Sequence, residues 1–349
     1  MSSQRLIFVM PPDSGLVSGG NIYNRELLSA ARRLGREIEE VSVAGWERLL
    51  AGGASGVFFV DTVSLDDFMK VVPAGRGSPG QRFLLVVHHL PSLEPGLPPD
   101  HPSLALEAAA LPRFDGFLAT SPYTATFLAG RGHTQRCMTV RPALPLRTRA
   151  PLDFRPGVRA LIAGNLIPRK GVLPFIHALA AALGPGDRLT VDVVGRSDLD
   201  PDHAGACVRA ARGARLVLDE TGGVDVIRFR GPVPYETMDG HYGAASVFLS
   251  PSLMETFGMA MQEARAFGLP ILACRGGHAA AHVEHGASGY LCDSIGELVD
   301  RLMELVREPE RLRELFAGAQ ARRSGSEYTW DVAAAELLRQ LDDFDRPVL

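Results

Sequence analysis

Short apolar runs alternate with longer segments of helical periodicity along almost the whole chain. The first half contains five such runs, at Leu6–Met10, Val57–Val60, Phe83–His88, Gly116–Ala119 and Met138–Val140. The second half contains five more, at Ala160–Ala163, Leu189–Val194, Ile227–Phe229, Val247–Leu249 and Ile271–Cys274. Short runs rich in Val, Ile, Leu and Phe, separated by helical segments, indicate βαβ units around a buried parallel sheet. We therefore predict an α/β protein with two doubly wound lobes.

A proline-rich segment separates the two halves. Residues 142–156 carry four prolines, which remove backbone donors and fix φ, so neither a helix nor a central strand can continue there. The length of 349 residues also suits two domains, since a typical domain has roughly 150 residues. We predict one domain over 1–145 and a second over 146–330. The last segment, 331–349, is predicted to form an amphipathic helix that packs back toward the first domain.

The composition favours a globular protein over a nucleic-acid-binding or membrane-spanning one. Hydrophobic residues make up 46% of the chain, charged residues make up 22%, and the formal net charge is −4, whereas nucleic-acid-binding domains are usually strongly basic. No stretch approaches the ~18 apolar residues of a membrane span. The opening apolar run is too short for a signal peptide. We expect a cytoplasmic protein with no nucleic-acid partner, either in free solution or at the membrane periphery.

Neither the cysteines nor the histidines indicate a metal site. The chain has four isolated cysteines, at Cys137, Cys207, Cys274 and Cys292. They form no CxxC pair, which fits a reducing cytosol. His278, His282 and His285 lie close in sequence, but a glycine-rich loop breaks the helical spacing, and no cysteine or second carboxylate completes a zinc site. We expect no bound metal.

The segment 250–270 carries the richest set of candidate side chains. A helix is predicted to start within Thr256–Gly258 and to stop at Gly268. Eight residues on one helix would place Glu255 and Glu263 about 12 Å apart on the same side. One carboxylate could then hold hydroxyls of a hexose while the other holds ribose hydroxyls of the same nucleotide sugar. The diphosphate between them would face the helix N-terminus, where free N–H groups favour anions.

Glu255 and Glu263 reproduce the EX7E motif of retaining GT-B glycosyltransferases of family 4, and the flanking residues resemble that family too. These are Pro251, Ser252, Leu253, Ala264, Ala266, Gly268 and Pro270. The resemblance implies that the residues at the helix start bind the donor: Thr256, Phe257, Gly258 and Met259. The alternative is an ordinary pair of carboxylates on a solvated helix.

A cationic loop, 165–171, follows the first predicted strand of the second lobe. It resembles the diphosphate-binding loop of the same family, usually GR-X3–5-KG, and Lys170 matches the lysine. Asn165 stands at the arginine position, where a neutral amide cannot supply a charged fork. Arg169 could take over that role, or the pair of cations could simply be solvated. If Arg169 takes over that role, Arg169 and Lys170 together neutralise the leaving nucleoside diphosphate.

Two features of the first lobe are further candidates. The segment 10–21 is neither a GxGxxG fingerprint nor a P-loop, but it resembles the family's glycine loop, in which Gly19 and Gly20 approach the donor phosphate and the acceptor. Alternatively, both glycines are turn residues that need φ > 0. His88 and His89 end a predicted strand, where ligands collect in α/β folds. The resemblance implies that one of them faces the transferred sugar, and the other could be a packing histidine.

Three weaker features complete the candidate set. The loop 275–278 resembles the glycine loop that lines the donor sugar pocket through Gly277, although Ala280 stands where the family often has an acid. The turn ending at Val233 is expected near the base of the nucleotide. Seven arginines lie between Arg131 and Arg159. They could steer an anionic acceptor or a lipid surface, or they could be solvated charges.

The resemblance implies a GT-B fold, with two Rossmann-like domains facing each other across a cleft, and sugar transfer with retention of configuration. It implies no cofactor and no metal, because the nucleotide diphosphate sugar is the co-substrate. Lys170 would stabilise the leaving group and Glu255 would orient the sugar. The acceptor could be a small molecule, a glycan or a lipid-linked group. Alternatives are a GT-B sugar phosphorylase, a nucleotide-sugar epimerase, and a catalytically silent nucleotide-sugar-binding protein.

Overall fold

A computed structural model describes most of the chain, namely residues 4–12, 18–72, 80–144, 157–216, 226–323 and 328–344. The chain splits into two compact units. The first consists of Met1–Ala143 with Glu327–Leu349, and the second is Leu144–Ser326. Most of the predicted proline-rich linker, from residue 145 to 156, lies outside the described residues.

A parallel sheet forms the centre of the first unit. Its described strands are β1 (Leu6–Val9), β2 (Glu39–Val41), β3 (Gly56–Asp61), β4 (Gln81–Val87), β5 (Gly116–Ala119) and β6 (Arg136–Thr139). They lie in the order β2-β1-β3-β4-β5-β6, and every pair is parallel. All five predicted strands are present. Sequence analysis missed β2, because this partly exposed edge strand contains two glutamates and no apolar run.

Helices connect these strands. They are α1 (Gly19–Arg33), α2 (Val43–Ala51), α3 (Leu65–Val71), α4 (Pro102–Ala110) and α5 (Pro122–Gly130). Ser18 caps the start of α1, since its Oγ accepts the N–H of Asn21 at 3.1 Å. It stops before Gly35, whose φ of +77° is the left-handed conformation that favours glycine after a helix end.

The second unit has a parallel sheet of the same kind. Its described strands are β7 (Val158–Ala163), β8 (Leu189–Val194), β9 (Ile227–Gly231), β10 (Val247–Ser250), β11 (Ile271–Cys274) and β12 (Gly289–Cys292). Their order is β12-β11-β10-β7-β8-β9. The five predicted strands are again present, and β12 is the one that was missed. Its four buried residues, Gly-Tyr-Leu-Cys, give too short a signal after a loop rich in histidine and glycine.

Helices cover both faces of the second sheet. They are α6 (Val172–Ala182), α7 (Pro201–Gly213), α8 (Met238–Ala244), α9 (Met259–Ala266), α10 (Ile295–Arg307) and α11 (Pro309–Ala321). Side chains alternate along β10: Val247 and Leu249 pack into one buried cluster with residues of α6, α7 and α10, whereas Phe248 packs into another with α8 and α9. The predicted doubly wound arrangement is therefore confirmed in this unit.

The last helix, α12 (Trp330–Phe344), packs on the first unit against α1 and β6. Gln340 donates to the carbonyl of Thr139 at 3.1 Å and accepts its N–H at 3.2 Å, so one side chain pairs with the edge strand β6. Asp331 accepts from the guanidinium of Arg33 at 2.6 Å. At 15 residues each, α12 and α1 are the longest described helices, and no described helix is both long and apolar enough to cross a membrane.

Candidate active site

Lys170 and Glu255 form a mostly buried ion pair in the second unit. The Lys170 Nζ donates to Glu255 Oε1 at 2.5 Å, with the two side chains 18% and 13% exposed. Burial raises the pKa of Glu255, but the charges of Lys170 and Arg169 and the hydrogen bonds from Lys170 and Ser252 outweigh it, so the net pKa is lowered. The carboxylate is therefore ionised at neutral pH. Two segments that sequence analysis assigned to separate functions meet here.

Glycine fixes the cationic loop against the segment that follows β10. Gly171 has φ = +68°, and a Cβ built there would lie 2.1 Å from the carbonyl oxygen of Pro251. The carbonyl of Arg169 accepts the N–H of Leu253 at 2.8 Å and the hydroxyl of Ser252 at 3.3 Å. Because β7 and β10 are neighbours in the sheet, their carboxyl ends carry both segments to the same edge. The ion pair is thus held by the backbone on both sides.

The helix begins one to three residues after the predicted start, and Glu255 does not lie on it. The helix α9 begins at Met259, and Gly258, its N-cap, has φ = +86°. Glu255 instead forms a parallel bridge with Gly277, and its carbonyl accepts the N–H of His278 at 2.7 Å. The helical estimate of about 12 Å between the two motif glutamates therefore does not apply, because Glu255 pairs with Gly277 and residues 255–258 precede the helix.

The glycine loop after β11 leaves no room for side chains. A Cβ at Gly276 would lie 2.2 Å from the carbonyl oxygen of Leu253, and one at Gly277 would lie 2.1 Å from that of Glu255. Gly277 also has φ = +61°. The loop therefore needs both glycines, because its backbone packs directly on the backbone around Glu255. Ala280, which stands where the resembling family often has an acidic residue, is exposed.

Phe257 joins this loop to a buried histidine. Its ring centroid lies 5.6 Å from that of His278 and 5.3 Å from that of His282. The Nε2 of His282 donates to the carbonyl of Phe257 at 2.5 Å, whereas the buried Nδ1 has no hydrogen-bond partner within the part of the chain that the structure describes. Burial lowers the pKa of His282 to about 4, so the ring is neutral at neutral pH. The start of α9 carries no side-chain cap among the described residues.

The histidines of this region do not converge on a common point. His285 accepts the N–H of Leu291 through Nδ1 at 3.2 Å. His282 donates to a backbone carbonyl, as described above. Among the residues that the structure describes, no group of three or more His, Cys, Asp or Glu side chains could hold a metal ion. His282 and His285 each bond to the backbone of this unit.

Glu263, the second motif glutamate, lies on α9 and accepts the phenol O–H of Tyr242 at 2.5 Å. Tyr242 is 1% exposed and belongs to the buried cluster under α8 and α9. Val233, expected near the nucleotide base, packs partly buried against the same cluster. Tyr242 was not among the predicted site residues. Its signal in the sequence was a tyrosine one turn before a predicted strand, which is typical of core packing.

Asn165 bonds to the neighbouring strand end. Its Oδ1 accepts the N–H of Arg196 at 3.3 Å, and the N–H of Leu166 donates to the carbonyl of Arg196 at 2.8 Å. The Arg196 guanidinium makes a two-pronged contact with Asp198 at 2.9 and 2.7 Å. A cation therefore stands at the end of β8 beside the neutral amide. Sequence analysis missed Arg196, because nothing in the sequence alone places β7 beside β8.

In the first unit, His88 belongs to a buried polar cluster at the ends of β3 and β4. Its Nε2 lies 2.9 Å from Asn24 Oδ1 and 3.3 Å from Asp61 Oδ2, and Asn24 Nδ2 donates to the same Asp61 oxygen at 2.7 Å. Both neighbours of Nε2 are acceptors, so this nitrogen carries a proton. Burial raises the pKa of Asp61. The charge of His88 and the hydrogen bonds from His88, Asn24 and Val63 together lower it by more, so the net pKa is lowered.

The two predicted histidines occupy different environments. The His89 Nε2 lies 2.8 Å from Glu94 Oε2, outside the buried cluster, with 26% of the side chain exposed. The His88 ring packs on Gly20, where a Cβ would lie 3.1 Å from its Cδ2. Gly19 and Gly20 are the first residues of α1 and do not have positive φ, so the turn-residue alternative is wrong. Residues 13–17 of the predicted glycine loop lie outside the described residues.

The arginines around the linker are occupied by structural contacts where they are described. Arg141 lies over the ring of Tyr328 at 4.5 Å, and Arg136 donates to the carbonyl of Asp343. Arg159 donates to the carbonyl of Ala244 at 2.7 Å. Arg147, Arg149 and Arg155 lie outside the described residues. The contacts of the described members favour a structural role over a freely solvated patch.

The chain resembles several known proteins. A D-inositol 3-phosphate glycosyltransferase from Frankia alni is 33% identical over 209 residues, which cover 58% of this chain and 49% of that protein. One from Streptomyces bingchenggensis is 32% identical over 215 residues, covering 56% and 45%. The chain thus spans about half the length of the curated relatives it matches.

Two solved structures resemble the whole described fold. Sucrose-phosphate synthase from Thermosynechococcus elongatus has a TM-score of 0.76 at 18% identity, with 97% of this chain and 99% of that chain covered. Anabaena HepE in complex with UDP and glucose has a TM-score of 0.72 at 16% identity, with the same coverage of 97% and 99%. The predicted GT-B fold class is confirmed. Residues 157–308, which lie within the second unit, match the family model Glycosyl transferases group 1.

Proposed function

We propose that the protein is a retaining, metal-independent glycosyltransferase that moves a sugar from a nucleotide diphosphate sugar to an acceptor. The observation that carries the proposal is the buried Lys170–Glu255 ion pair, at 2.5 Å, near the start of α9, where no side chain of the described residues caps the helix. A cation, a carboxylate and free helical N–H groups are the chemistry that a sugar linked to a diphosphate requires. The family match over 157–308 and the UDP-containing Anabaena HepE support this reading.

The donor would bind along the second unit. Lys170 and Arg169 would hold the diphosphate together with the N–H groups of Gly258 and Met259. Glu255 would accept hydrogen bonds from the sugar hydroxyls, and Glu263 would accept them from the ribose. Thr256, Phe257 and the backbone of Gly277 would complete the sugar side, and Val233 would lie toward the base. In this proposal, the acceptor binds to the first unit, where His88 is the better candidate of the two histidines because it belongs to the buried cluster.

The chemistry follows from the charges. As the bond between the sugar and the diphosphate breaks, negative charge grows on the leaving group, and Lys170 and Arg169 stabilise it. Positive charge grows on the sugar, and the ionised Glu255 would stabilise it. Glu255 has one oxygen held by Lys170 at 2.5 Å, which suits orientation of the sugar better than attack on it. In this proposal, Lys170 and Arg169 neutralise the negative charge of the leaving diphosphate, a role that a divalent metal ion can also fill in enzymes.

The relatives suggest a first acceptor to try. The two relatives described above are named D-inositol 3-phosphate glycosyltransferases, and the matches cover 49% and 45% of their lengths. The family model matches residues 157–308 of the second unit, which in this proposal binds the donor. D-inositol 3-phosphate is therefore a test acceptor, and simple sugars, sugar phosphates and polyprenyl phosphates complete the panel.

A second candidate function is nucleotide-sugar binding without turnover. It is favoured by Asn165, whose amide replaces a charged fork and bonds to the N–H of Arg196. Asn165→Arg distinguishes the two. If this substitution creates turnover in a protein that binds donors but does not transfer sugar, then the natural chain is a binding protein.

The test has two steps on the full chain. Thermal shift and calorimetry with ADP, CDP, GDP and UDP, and then with the corresponding glucose donors, define the donor, because a ligand that binds the folded state raises its stability. Donor cleavage is then followed with the acceptor panel, with inorganic phosphate and with EDTA, and the anomeric configuration of the product is read by NMR. We expect transfer with retention in EDTA.

The substitution Glu255→Gln, which removes the carboxylate of the site, needs a control. Glu314→Gln, an exposed carboxylate on α11, serves as the matched control for Glu255→Gln. Cleavage only with inorganic phosphate would identify a phosphorylase, and loss of activity in EDTA would refute metal independence. If no nucleotide binds, the proposal as a whole is wrong.

A further inference from the structure

Tyr242 and Glu263 form one buried unit that the motif alone does not reveal. The phenol O–H donates to Glu263 Oε2 at 2.5 Å and lies 3.3 Å from the carbonyl oxygen of Ala260. The ring of Tyr242 stacks on Phe267, with centroids 5.4 Å apart and 18° between the ring planes. It also packs near Phe248, at 6.0 Å. The position of the hydroxyl is therefore fixed by the aromatic core and not by the carboxylate.

The direction of this hydrogen bond is defined. Burial raises the pKa of Tyr242 well above its usual range, and the charge of Glu263 raises it further, so the phenol keeps its proton. A phenol that stays protonated is a permanent donor, and a carboxylate is an acceptor. A hydrogen bond from a fixed donor to one carboxylate oxygen sets the plane of the whole carboxylate, and with it the direction of the second oxygen.

A small cavity lies beside this pair. It encloses about 10 Å³, room for about one water molecule, and its lining includes Tyr235, Met238, Asp239, Tyr242, Glu263 and Phe267. The walls are mostly aromatic and apolar, with two carboxylates among them. A carboxylate in such a lining can accept hydrogen bonds from hydroxyl groups that approach it from solvent.

We propose that Tyr242 is a positioning residue that orients Glu263 to accept hydrogen bonds from the ribose hydroxyls of the donor nucleotide. The inference rests on the proposed function, since it assigns a ribose to Glu263. It adds that recognition of the ribose depends on a residue of α8 that does not itself contact the nucleotide. Discrimination between ribose and deoxyribose would then depend on the phenol hydroxyl.

The experiment measures this discrimination. Calorimetry gives Kd for ADP, CDP, GDP and UDP and for the 2′-deoxy and 3′-deoxy forms of each, with wild-type protein, Tyr242→Phe and Glu263→Gln. We expect the wild type to bind its preferred ribonucleotide about 10-fold or more tightly than at least one deoxy form, as a hydrogen bond to a charged group predicts. In Tyr242→Phe, the ribonucleotide should bind several-fold more weakly, while the deoxy form should bind as in the wild type, so the ratio shrinks.

A control variant separates positioning from packing. Tyr290→Phe removes a phenol hydroxyl that accepts from Arg311 at 2.8 Å and lies near Glu304 in the same unit, away from the cavity. It should leave the ratio of ribose to deoxyribose affinity unchanged. Glu263→Gln is the second test if Tyr242→Phe does not fold. Glutamine has nearly the same size as glutamate but lacks the negative charge that the ribose hydroxyls would meet. It too should reduce the ratio.

The outcomes are distinct. If wild-type protein binds none of the nucleotides, the proposed function fails and this inference fails with it. If the wild type binds a ribonucleotide and discriminates against its deoxy form, but Tyr242→Phe weakens both forms equally, then Tyr242 only supports the fold and the inference is overturned while the proposed function stands. An unchanged ratio in Glu263→Gln would also overturn it, because the ribose would then be recognised elsewhere.

Discussion

Asp61 and His88 lie 3.3 Å apart at the carboxyl ends of the neighbouring strands β3 and β4, and Asn24 of α1 contacts both. Asp61 is 2% exposed, so its charge is compensated inside the protein and not by water. The cluster ties three separate elements together at the edge of the sheet where ligands collect in such folds. It therefore connects the stability of the first unit to the orientation of a candidate sugar-facing histidine.

Substitution of Asp61 should reveal this coupling. The folded-state pKa of Asp61 is lowered, so its contribution to stability is present above the unfolded pKa of about 3.9 and is lost as the pH falls through the folded-state value. Asp61→Asn should therefore lower the free energy of unfolding by about 1–3 kcal/mol at pH 7, and by less under strongly acidic conditions. Urea denaturation between pH 3 and pH 7 measures the difference.

The matched control is Asp66→Asn, in which an exposed aspartate of the same unit loses its contact with Lys70. This exposed ion pair should contribute little. If Asp61→Asn and Asp66→Asn lower the free energy of unfolding equally, the buried cluster contributes no more to stability than an exposed ion pair.

Loss of Lys170 should impair chemistry more than binding. Lys170→Met removes the charge that lies 2.5 Å from Glu255 and that would stabilise the leaving diphosphate, and we expect turnover to fall by about 10²–10³. Without Lys170, burial is free to raise the pKa of Glu255, so the acid limb of the pH–rate profile should move to higher pH. Steady-state kinetics with the best nucleotide sugar, at several pH values, measure both effects.

The other lysine of the chain provides the control. Lys70 is exposed on α3, and Lys70→Met should behave as wild type. Wild-type turnover in Lys170→Met, or an unchanged acid limb, would show that the ion pair has no part in the reaction.

The strands could be predicted because their signal is local. The run Val247–Leu249 is apolar throughout, since β10 is covered on both faces, and no tertiary information is needed to recognise it. The edge strand β2 carries glutamates and has no such signal. The stop at Gly268 was also predictable, because this glycine has φ = +65° at the end of α9.

The site could be predicted only where a motif lists its residues. The motif located Glu255 and Glu263, but the helical spacing between them was wrong, because Gly258 starts the helix after Glu255 has already paired with the glycine loop. Asp61, Arg196 and Tyr242 were missed for one reason. Each acquires its role from a neighbour that is distant in sequence, and the sequence does not say which strand ends or helices are adjacent.

Gly171 should be intolerant of any side chain. Gly171→Ala meets both the strain of φ = +68° and an approach of 2.1 Å to the carbonyl oxygen of Pro251. Strain alone costs about 1–2 kcal/mol, and a backbone shift at Pro251 should bring the total above roughly 3 kcal/mol. The shift should also separate Lys170 from Glu255 and weaken nucleotide binding. Melting temperature and calorimetry measure the two effects.

Gly186 is a matched control in the same unit. It has φ = +92°, but a Cβ there meets nothing within 4 Å, so Gly186→Ala isolates the strain. It should lower stability modestly and leave nucleotide affinity unchanged. If both substitutions have the same effect on stability and affinity, the contact between the cationic loop and Pro251 does not matter.

His282 should make the second unit sensitive to acid. Burial lowers its pKa from 6.5 to about 4, so the unfolded chain takes up a proton in this interval that the folded protein does not. Stability should be complete above about pH 6.5 and should fall as the pH drops toward about 4, by on the order of 3 kcal/mol in total. His282→Gln keeps a donor for the carbonyl of Phe257 but cannot titrate, so its stability should fall less over this interval. Urea denaturation of both proteins at pH 7, 6, 5 and 4 measures the difference, and parallel curves would show that His282 does not bind its proton differently in the folded and unfolded states.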